Sequence, residues 1–108
     1  MSFYLTRAHY TPEAFKGMLA KPGDREGPGR EMFEAAGMKL HNMWYSANGE
    51  VICICEGDAV SGATVAMVVL ASGAFSDAAT VELLTMKQQV EAMKGGGKVA
   101  AKYRAPGK

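Results

Sequence analysis

The feature that most constrains the fold is the short run of residues 51–56, VICICE. Its length and its β-branched residues favour a strand, in which successive side chains point to opposite faces of the sheet. Ile52 and Ile54 would lie on one face, and a valine and two cysteines on the other. A sheet with one solvated face shows alternating apolar and polar residues, which this run lacks. We therefore expect a sheet that is covered on both faces.

Turn residues and apolar patterning divide the chain into elements in the order β-α-β-β-α-β, followed by a C-terminal helix. The second and third strands are expected to form a hairpin, because Asn48-Gly49 between them favours the positive φ angles of a tight turn. Pro and Gly residues between 21 and 29 split the first helical region in two. The predicted strands cover residues 2–10, 38–45, 51–56 and 75–84.

Capping residues predict where the first helix begins and which of its side chains face the core. Thr11 is a suitable N-cap, and Pro12 suits the first helical position. The apolar residues that follow at helical spacing are Phe15, Met18 and Leu19. We expect this helix to bury all three.

The two later helices carry similar signals. Asp58 or Ser61 is expected to cap the second main helix, which ends at Gly73. This helix is apolar on most sides and is therefore expected to be well buried. Thr85 and Gln88 have the spacing of a capping box for the short last helix, predicted over residues 86–94.

This order of elements is typical of a ferredoxin-like α+β domain, whose antiparallel sheet carries both main helices on one face. The other face of the sheet would be bare. Strand 1 nevertheless has apolar side chains on both faces, with Phe3 and Leu5 on one face and Tyr4 and Ala8 on the opposite face. An exposed apolar sheet of this size is unfavourable in a monomer. We expect a homodimer packed sheet to sheet, or a higher homo-oligomer built from such dimers.

Composition excludes several classes of protein. No stretch of about 18 apolar residues predicts a membrane span, and the N-terminal residues lack the pattern of a secretory signal peptide. Cys53 and Cys55 lie two apart on one strand, which does not suit a disulfide, and no set of zinc ligands accompanies them. We expect a cytoplasmic protein with buried, reduced thiols, and no membrane partner, metal or cofactor.

Charge is distributed unevenly along the chain. Residues 1–91 hold seven Lys/Arg and eleven Asp/Glu, whereas residues 92–108 hold five Lys/Arg and no acidic residue. Three glycines from position 95 predict the end of the last helix, so a domain over 1–94 would carry a basic, flexible tail over 95–108. The tail could bind nucleic acid or an anionic membrane, but Tyr103 is its one residue for base stacking. Docking on the acidic body, or full solvation, is the simpler expectation, and nucleic acid is not an expected partner.

Six short motifs follow one another along the predicted elements. They are Tyr4-Leu5, Tyr10-Thr11-Pro12-Glu13, Lys16-Gly17, Gly37-x-Lys39-Leu40, Ala71-Ser72-Gly73-Ala74 and Leu83-Leu84-Thr85. In this order and spacing the chain resembles, over about residues 3–94, the GYD-domain family of small bacterial proteins. The resemblance implies the dimeric α+β barrel variant of the ferredoxin-like fold and self-association, and it implies no established reaction.

One motif departs from the family pattern. The motif that names the family, Gly-Tyr-Asp or a near variant, sits in the turn between strands 2 and 3. This chain has Asn48-Gly49-Glu50 there. The acidic residue is kept in type and the tyrosine is absent, so no role of that tyrosine carries over.

Two polar side chains of the first strand are candidates for chemistry. Arg7 and His9 lie two residues apart and hence on one face. Together they could bind a carboxylate or an enolate and move a proton. The simpler alternative is that Arg7 pairs with an acidic residue while His9 is solvated at the strand end.

A second pair of candidates is Asn42 and Trp44, which share a face of strand 2 opposite His41 and Tyr45. An amide and an indole N–H could orient a polar ligand, as in cofactor-free oxygenases of this architecture, an analogy of fold alone. The alternative is a core tryptophan with a satisfied N–H and an asparagine at the rim. Nothing in the spacing joins His9 and His41 to a carboxylate, so no metal site is expected.

Three functional hypotheses follow. The first is an oligomeric α+β domain that binds a small molecule or responds to one. The second is a cofactor-free enzyme, oxygenase- or isomerase-like, acting on a small carbonyl compound or an aromatic acid through Arg7, His9, Asn42 and Trp44. A third is a self-assembling module without a pocket. A closed pocket containing those four side chains would favour the enzyme.

Overall fold

The chain folds into one four-stranded antiparallel sheet and four helices in a computed structural model that describes all 108 residues. The strand order is β2-β3-β1-β4. The predicted α+β class and the ferredoxin-like βαββαβ order with a C-terminal helix are confirmed. The elements are β1 (Ser2–Tyr10), α1 (Pro12–Ala20), α2 (Glu26–Ala35), β2 (Lys39–Ser46), β3 (Glu50–Gly57), α3 (Ala59–Ala71), β4 (Phe75–Leu83) and α4 (Met86–Ala100).

Side-chain caps begin three of the helices. The Thr11 hydroxyl accepts a backbone N–H of the first turn of α1 at 3.2 Å, and Thr85 and Gln88 form the predicted capping box of α4. Of the two candidate caps for α3, Asp58 is the one used: its carboxylate accepts the Ser61 N–H at 2.8 Å. That hydrogen bond lowers the pKa of Asp58.

The core lies between one face of the sheet and helices α2 and α3. Its most buried side chains are Leu40 and Cys55, each 1% exposed, and Phe33 and Val65 reach it from the helices. We call this side the covered face; β1 and β3 supply it with Tyr4, Thr6, Ala8, Val51, Cys53 and Cys55. No helix covers the opposite side, the open face, where the same strands place Phe3, Leu5, Arg7, His9, Glu50, Ile52, Ile54 and Glu56.

The hairpin between β2 and β3 closes at the predicted turn and contains a bulge. Gly49 has a φ of +92° and donates its N–H to the Ser46 carbonyl at 2.9 Å. The register on β3 shifts between Leu40 and Asn42, which leaves His41 as an extra residue. In a regular strand, residues two apart lie on the same face. The bulge breaks this rule, so Leu40 lies on the covered face with Cys55, whereas Asn42 lies on the open face with Ile54.

The bulge overturns one predicted placement. His41 is expected from the sequence on the face of Tyr45. In the structure the His41 ring lies 5.2 Å from the Phe3 ring, and its Nε2 atom lies 2.9 Å from Glu56 Oε1. Phe3 and Glu56 are cross-strand partners on the open face, so His41 belongs to that face.

Two helices are less buried than predicted. α1 has no buried residue, and Leu19 is 81% exposed. Phe15 and Met18 are half-buried. In α3, Gly62 and Val65 alone are buried. The expected burial of both helices is therefore wrong for a single chain, because at most one stripe of a helix reaches the sheet.

Helix α4 projects from the body. It continues through Gly95–Gly97 instead of ending there, since glycine weakens a helix by about 1 kcal/mol per residue without blocking its conformation. Residues 81–108 are all exposed. The radius of gyration is 17.9 Å, against about 13 Å for a compact domain of this length. None of the four helices has the length and hydropathy that crossing a membrane requires.

Candidate functional site

A cleft opens on the covered face beneath the segment that joins α1 to α2. Its volume is about 450 Å³. Phe15 and Met18 of α1, Tyr45 of β2 and Arg25 before α2 line it. We call this space the outer cleft. It exists because α1 buries none of its residues and so does not fill the space above the sheet.

An inner cavity of about 250 Å³ adjoins the outer cleft on the side of α3. The two spaces share Tyr10, Arg25, Met43 and Val51, which therefore stand at their junction. Arg25 is the one charged side chain that lines the inner cavity. The apolar part of its lining includes Met32, Phe33, Val65, Val69 and Phe75. Apolar clefts with a few polar groups are the usual sites of small molecules.

Arg25 carries a charge that no acidic side chain neutralises. It takes part in none of the ion pairs of the chain and makes no capping hydrogen bond to α2. Its acidic neighbours are engaged elsewhere: Asp24 Oδ1 accepts the Glu26 N–H at 2.8 Å, and Glu26 Oε2 lies 2.9 Å from Arg30 Nη2. The Arg25 guanidinium is therefore available to an anion.

Tyr10 forms an aromatic wall at the same junction. Its ring stacks on Phe75 with centroids 4.6 Å apart and meets Phe15 edge-on at 5.6 Å. Burial raises the pKa of Tyr10, while the nearby Arg25 acts in the opposite direction. The hydroxyl is thus protonated at neutral pH and can donate a hydrogen bond beside Arg25.

The thiol of the inner cavity belongs to Cys53. Both Cys53 and Cys55 are free and buried, as predicted. Burial raises the pKa of Cys53 to about 12 and raises the pKa of Cys55 as well. Because the thiolate is the reactive form, Cys53 is not an activated nucleophile.

Four polar side chains meet at one end of the open face. Arg7 Nη2 lies 2.9 Å from Glu50 Oε1, and His9 Nε2 lies 3.6 Å from Glu50 Oε2. His9 Nδ1 lies 3.0 and 3.1 Å from the two carboxylate oxygens of Asp77. The strand register creates this arrangement, because His9 pairs with Glu50 on β3 and with Asp77 on β4. We call these four residues the charged cluster.

Hydrogen bonds within the charged cluster shift the pKa values of Arg7 and Asp77. Glu50 is buried, with a side chain 6% exposed, and its hydrogen bond from Arg7 raises the pKa of Arg7. The side chain and the backbone N–H of His9 both bond to Asp77, and they lower the pKa of Asp77. A buried carboxylate is stable only with such partners, so Glu50 holds Arg7 in position, while Asp77 holds His9.

Arg7 and His9, the first pair of sequence candidates, lie on one face and meet through Glu50. The alternative in which Arg7 pairs with an acidic residue is the observed one. His9 is not simply solvated, since it lies between two carboxylates. The sequence pattern does not reveal Glu50 and Asp77 as members of the cluster, because their approach to His9 depends on the pairing of distant strands.

Asn42 and Trp44 share one face as predicted; this is the open face, and the two residues do not join the charged cluster. Trp44 is 64% exposed, so the alternative of a core tryptophan is wrong. In the register, Ile52 separates Trp44 from Arg7. Of the four sequence candidates, only Trp44 borders one of the main cavities: β2 is an edge strand, and at this edge Trp44 also lines the outer cleft.

Comparison with known proteins assigns no function to the joined cavities or to the charged cluster. No protein-family model matches this chain, and no curated protein matches it at a significant level. Membership of the GYD-domain family therefore stays a prediction. A functional proposal has to be built on the geometry of the cavities and of the charged cluster.

The link between Asp77 and His9 predicts a pH-dependent contribution to stability. Because the folded protein lowers the pKa of Asp77, this contribution is present above the ordinary value of 3.8 and is lost as pH falls through the lowered value. Asp77→Asn should therefore lower the melting temperature at pH 5 to 7, and the difference from wild type should vanish near about pH 2.

Thermal melts at several pH values measure this effect. Glu31→Gln is the control, because Glu31 is exposed and forms no ion pair or side-chain hydrogen bond. If Asp77→Asn lowers the melting temperature equally at every pH, the ionised carboxylate of Asp77 does not cause the destabilisation, and this prediction is wrong.

Proposed function

We propose that this protein binds a small molecule in the joined outer cleft and inner cavity and functions as a homodimer. The observation that carries the proposal is the pair of adjoining apolar spaces with one unneutralised arginine at their junction. Small-molecule sites in proteins have this character, with volumes of roughly 300–1,000 Å³. The homodimer agrees with the self-association that the resemblance to the GYD-domain family implies, and we propose a cytoplasmic location because both thiols are free.

The helices above the cleft favour a regulatory role for such binding. α1 has no buried residue, and residues 21–28 between α1 and α2 are exposed. Segments with little burial open at low free-energy cost. A ligand that fills the cleft would hold α1 and this connecting segment in one position, which changes the surface that the protein presents.

A variant that fills the inner cavity tests the binding function. Val68 lines the cavity and is 50% exposed, so Val68→Trp can place an indole there with limited strain. Met67→Trp is the control, because Met67 is 72% exposed and lines neither the outer cleft nor the inner cavity. A ligand at ten times its Kd stabilises the native state by about 1.4 kcal/mol, which raises the Tm of a domain of this size by roughly 5 °C. Val68→Trp should abolish that rise, and Met67→Trp should keep it.

The measurement is a thermal-shift screen of charged and neutral compounds at several pH values. Its hits are then repeated on the two variants after circular dichroism confirms that both fold. Hits that stabilise Val68→Trp as much as wild type would place the binding site elsewhere. The absence of any hit among acidic, basic and neutral compounds would contradict the proposal.

We also propose that the two subunits pack through their open faces. Leu5 and Ile54 occupy the centre of this face, and Val81 beside them is 54% exposed. Four strands about 4.8 Å apart and about 26 Å long give a surface of about 500 Å² per subunit, at the lower limit of specific interfaces. The charged cluster at one end would orient the subunits, since complementary charge fixes register more than affinity.

Helix α4 supports the same assembly. Met86, Val90 and Met93 lie at helical spacing, and they are 74%, 45% and 58% exposed. An exposed apolar stripe on a projecting helix has no partner within its own chain. In a homodimer α4 can pack on the other subunit and enlarge the interface.

A charge at the centre of the open face should separate the subunits. Ile54→Lys would bury an unpaired ammonium group between two sheets, which opposes association strongly. Sedimentation analysis at micromolar concentration should give a dimer for wild type and a monomer for Ile54→Lys. Leu19→Lys, on the exposed side of α1, is the matched control and should stay dimeric. A monomeric wild-type protein would overturn the proposed assembly.

A second candidate function, a cofactor-free isomerase, rests on the pairing of Asp77 with His9. Asp77 holds His9 Nδ1, while Nε2 is 3.6 Å from Glu50, beyond hydrogen-bond length, and can accept a proton. The guanidinium of Arg7 uses one nitrogen for Glu50 and keeps others for a carboxylate. This arrangement suits removal of a proton next to the carbonyl of a small keto acid.

Hydrogen exchange tests the second candidate. Phenylpyruvate in D₂O should lose its CH₂ proton signal in NMR faster with wild-type protein than in buffer alone, because His9 returns a deuteron from solvent. His9→Asn should reduce the rate to that of buffer, by on the order of a hundredfold for a general base. Glu31→Gln, at an exposed position of α2 outside the charged cluster, is the control. Equal rates for wild type and buffer would exclude this activity for that substrate class.

A further inference from the structure

The charge of the lining residues restricts the chemistry of the ligand. We infer that the joined cavities bind a monocarboxylic acid with an apolar, preferably aromatic, body, whose carboxylate is held by Arg25. This inference rests on the proposed small-molecule function and specifies its ligand class. Arg25 lines both the outer cleft and the inner cavity, so a group bound to it stands where the two spaces meet.

Arg25 has no acidic partner within the chain, and its hydrogen-bonding neighbour in the cavities is the neutral Tyr10 hydroxyl. Asp24 is committed to the backbone N–H of Glu26, and Glu26 to Arg30. A free guanidinium beside an apolar space is suited to a carboxylate, which it can bind through two parallel hydrogen bonds. The carboxylates of Asp24 and Glu26 also line the outer cleft and oppose a second negative charge on the ligand, which favours a monoanion over a phosphate ester or a dicarboxylate.

The inner cavity offers no partner for a second charged group. Apart from Arg25, its polar side chains are the neutral Thr6, Tyr10, Ser72 and Cys53, and the thiol is fully protonated because burial raises the pKa of Cys53 to about 12. An ionised group placed inside would lose its hydration without gaining a partner. The part of the ligand that enters the inner cavity is therefore uncharged and apolar.

The aromatic walls of the inner cavity favour a flat apolar group in the ligand. The stacked rings of Tyr10 and Phe75 form one wall of the inner cavity, and Phe33 contributes another aromatic surface. Aromatic side chains bind flat rings by offset or edge contacts. The Tyr10 hydroxyl, close to Arg25, supplies a second donor for the carboxylate. Together these groups fit an aromatic acid with its carboxylate at the junction.

Arg25→Gln tests the inference with little risk to folding, because Arg25 is exposed and makes no ion pair or helix cap. The probes are phenylacetate, 2-naphthoate and octanoate, each compared with its primary amide, in ¹H–¹⁵N NMR titrations of the full chain. Wild type should bind at least one acid about tenfold or more tightly than its amide, as expected for a charge-assisted hydrogen bond. Arg25→Gln should remove that preference, and Arg25→Lys should restore part of it.

The control is Arg104→Gln, which removes one positive charge from the C-terminal tail and should leave the preference unchanged. Amides that bind as tightly as acids, or a preference that survives in Arg25→Gln, would overturn the inference while leaving the cavity as a binding site. Binding of neutral compounds from the thermal-shift screen without binding of any acid would do the same. If no compound of any charge binds, the proposed function fails together with the inference.

Discussion

The central position of β1 is the constraint on which both candidate sites depend. β1 pairs with β3 along one edge and with β4 along the other, over nearly its whole length. Because alternate residues of a strand face opposite sides, Thr6 and Tyr10 reach the cavities while Arg7 and His9 lie on the open face. A slip of β1 by one residue would exchange these two sets of side chains and destroy both sites at once.

Local patterns in the sequence predict the fold well and the sites only in part. Thr11, Asp58 and the capping box at Thr85 act as their residue types suggest, because a cap needs only its own first turn. The partners of His9 cannot be predicted in this way, since Asp77 arrives from a strand far away in the sequence. The same holds for the bulge at His41, which depends on how β2 meets β3 and not on the composition of β2.

The open face combines an apolar centre with a buried, charged edge, and a sheet face that is exposed to water requires neither. Its apolar centre around Leu5 and Ile54 would be unfavourable in water, whereas Glu50 at its edge is almost fully buried and pairs with Arg7. A non-specific apolar face would allow many arrangements of two copies. In the proposed dimer, the charged cluster beside it would restrict those arrangements, which is the role that polar groups play at specific interfaces.

The uneven packing of the helix layer connects the fold to the proposed binding function. Leu40 and Cys55 are fully enclosed beneath α2 and α3, whereas α1 contributes no buried residue. An apolar space that stays unfilled lowers stability, because its lining atoms lose contacts that a close-packed interior would provide. In the proposed complex a ligand would supply those contacts. Because α1 buries no residue and the segment that carries Arg25 is exposed, binding would order these two parts most, and affinity and conformational response would then arise from the same deficit in packing.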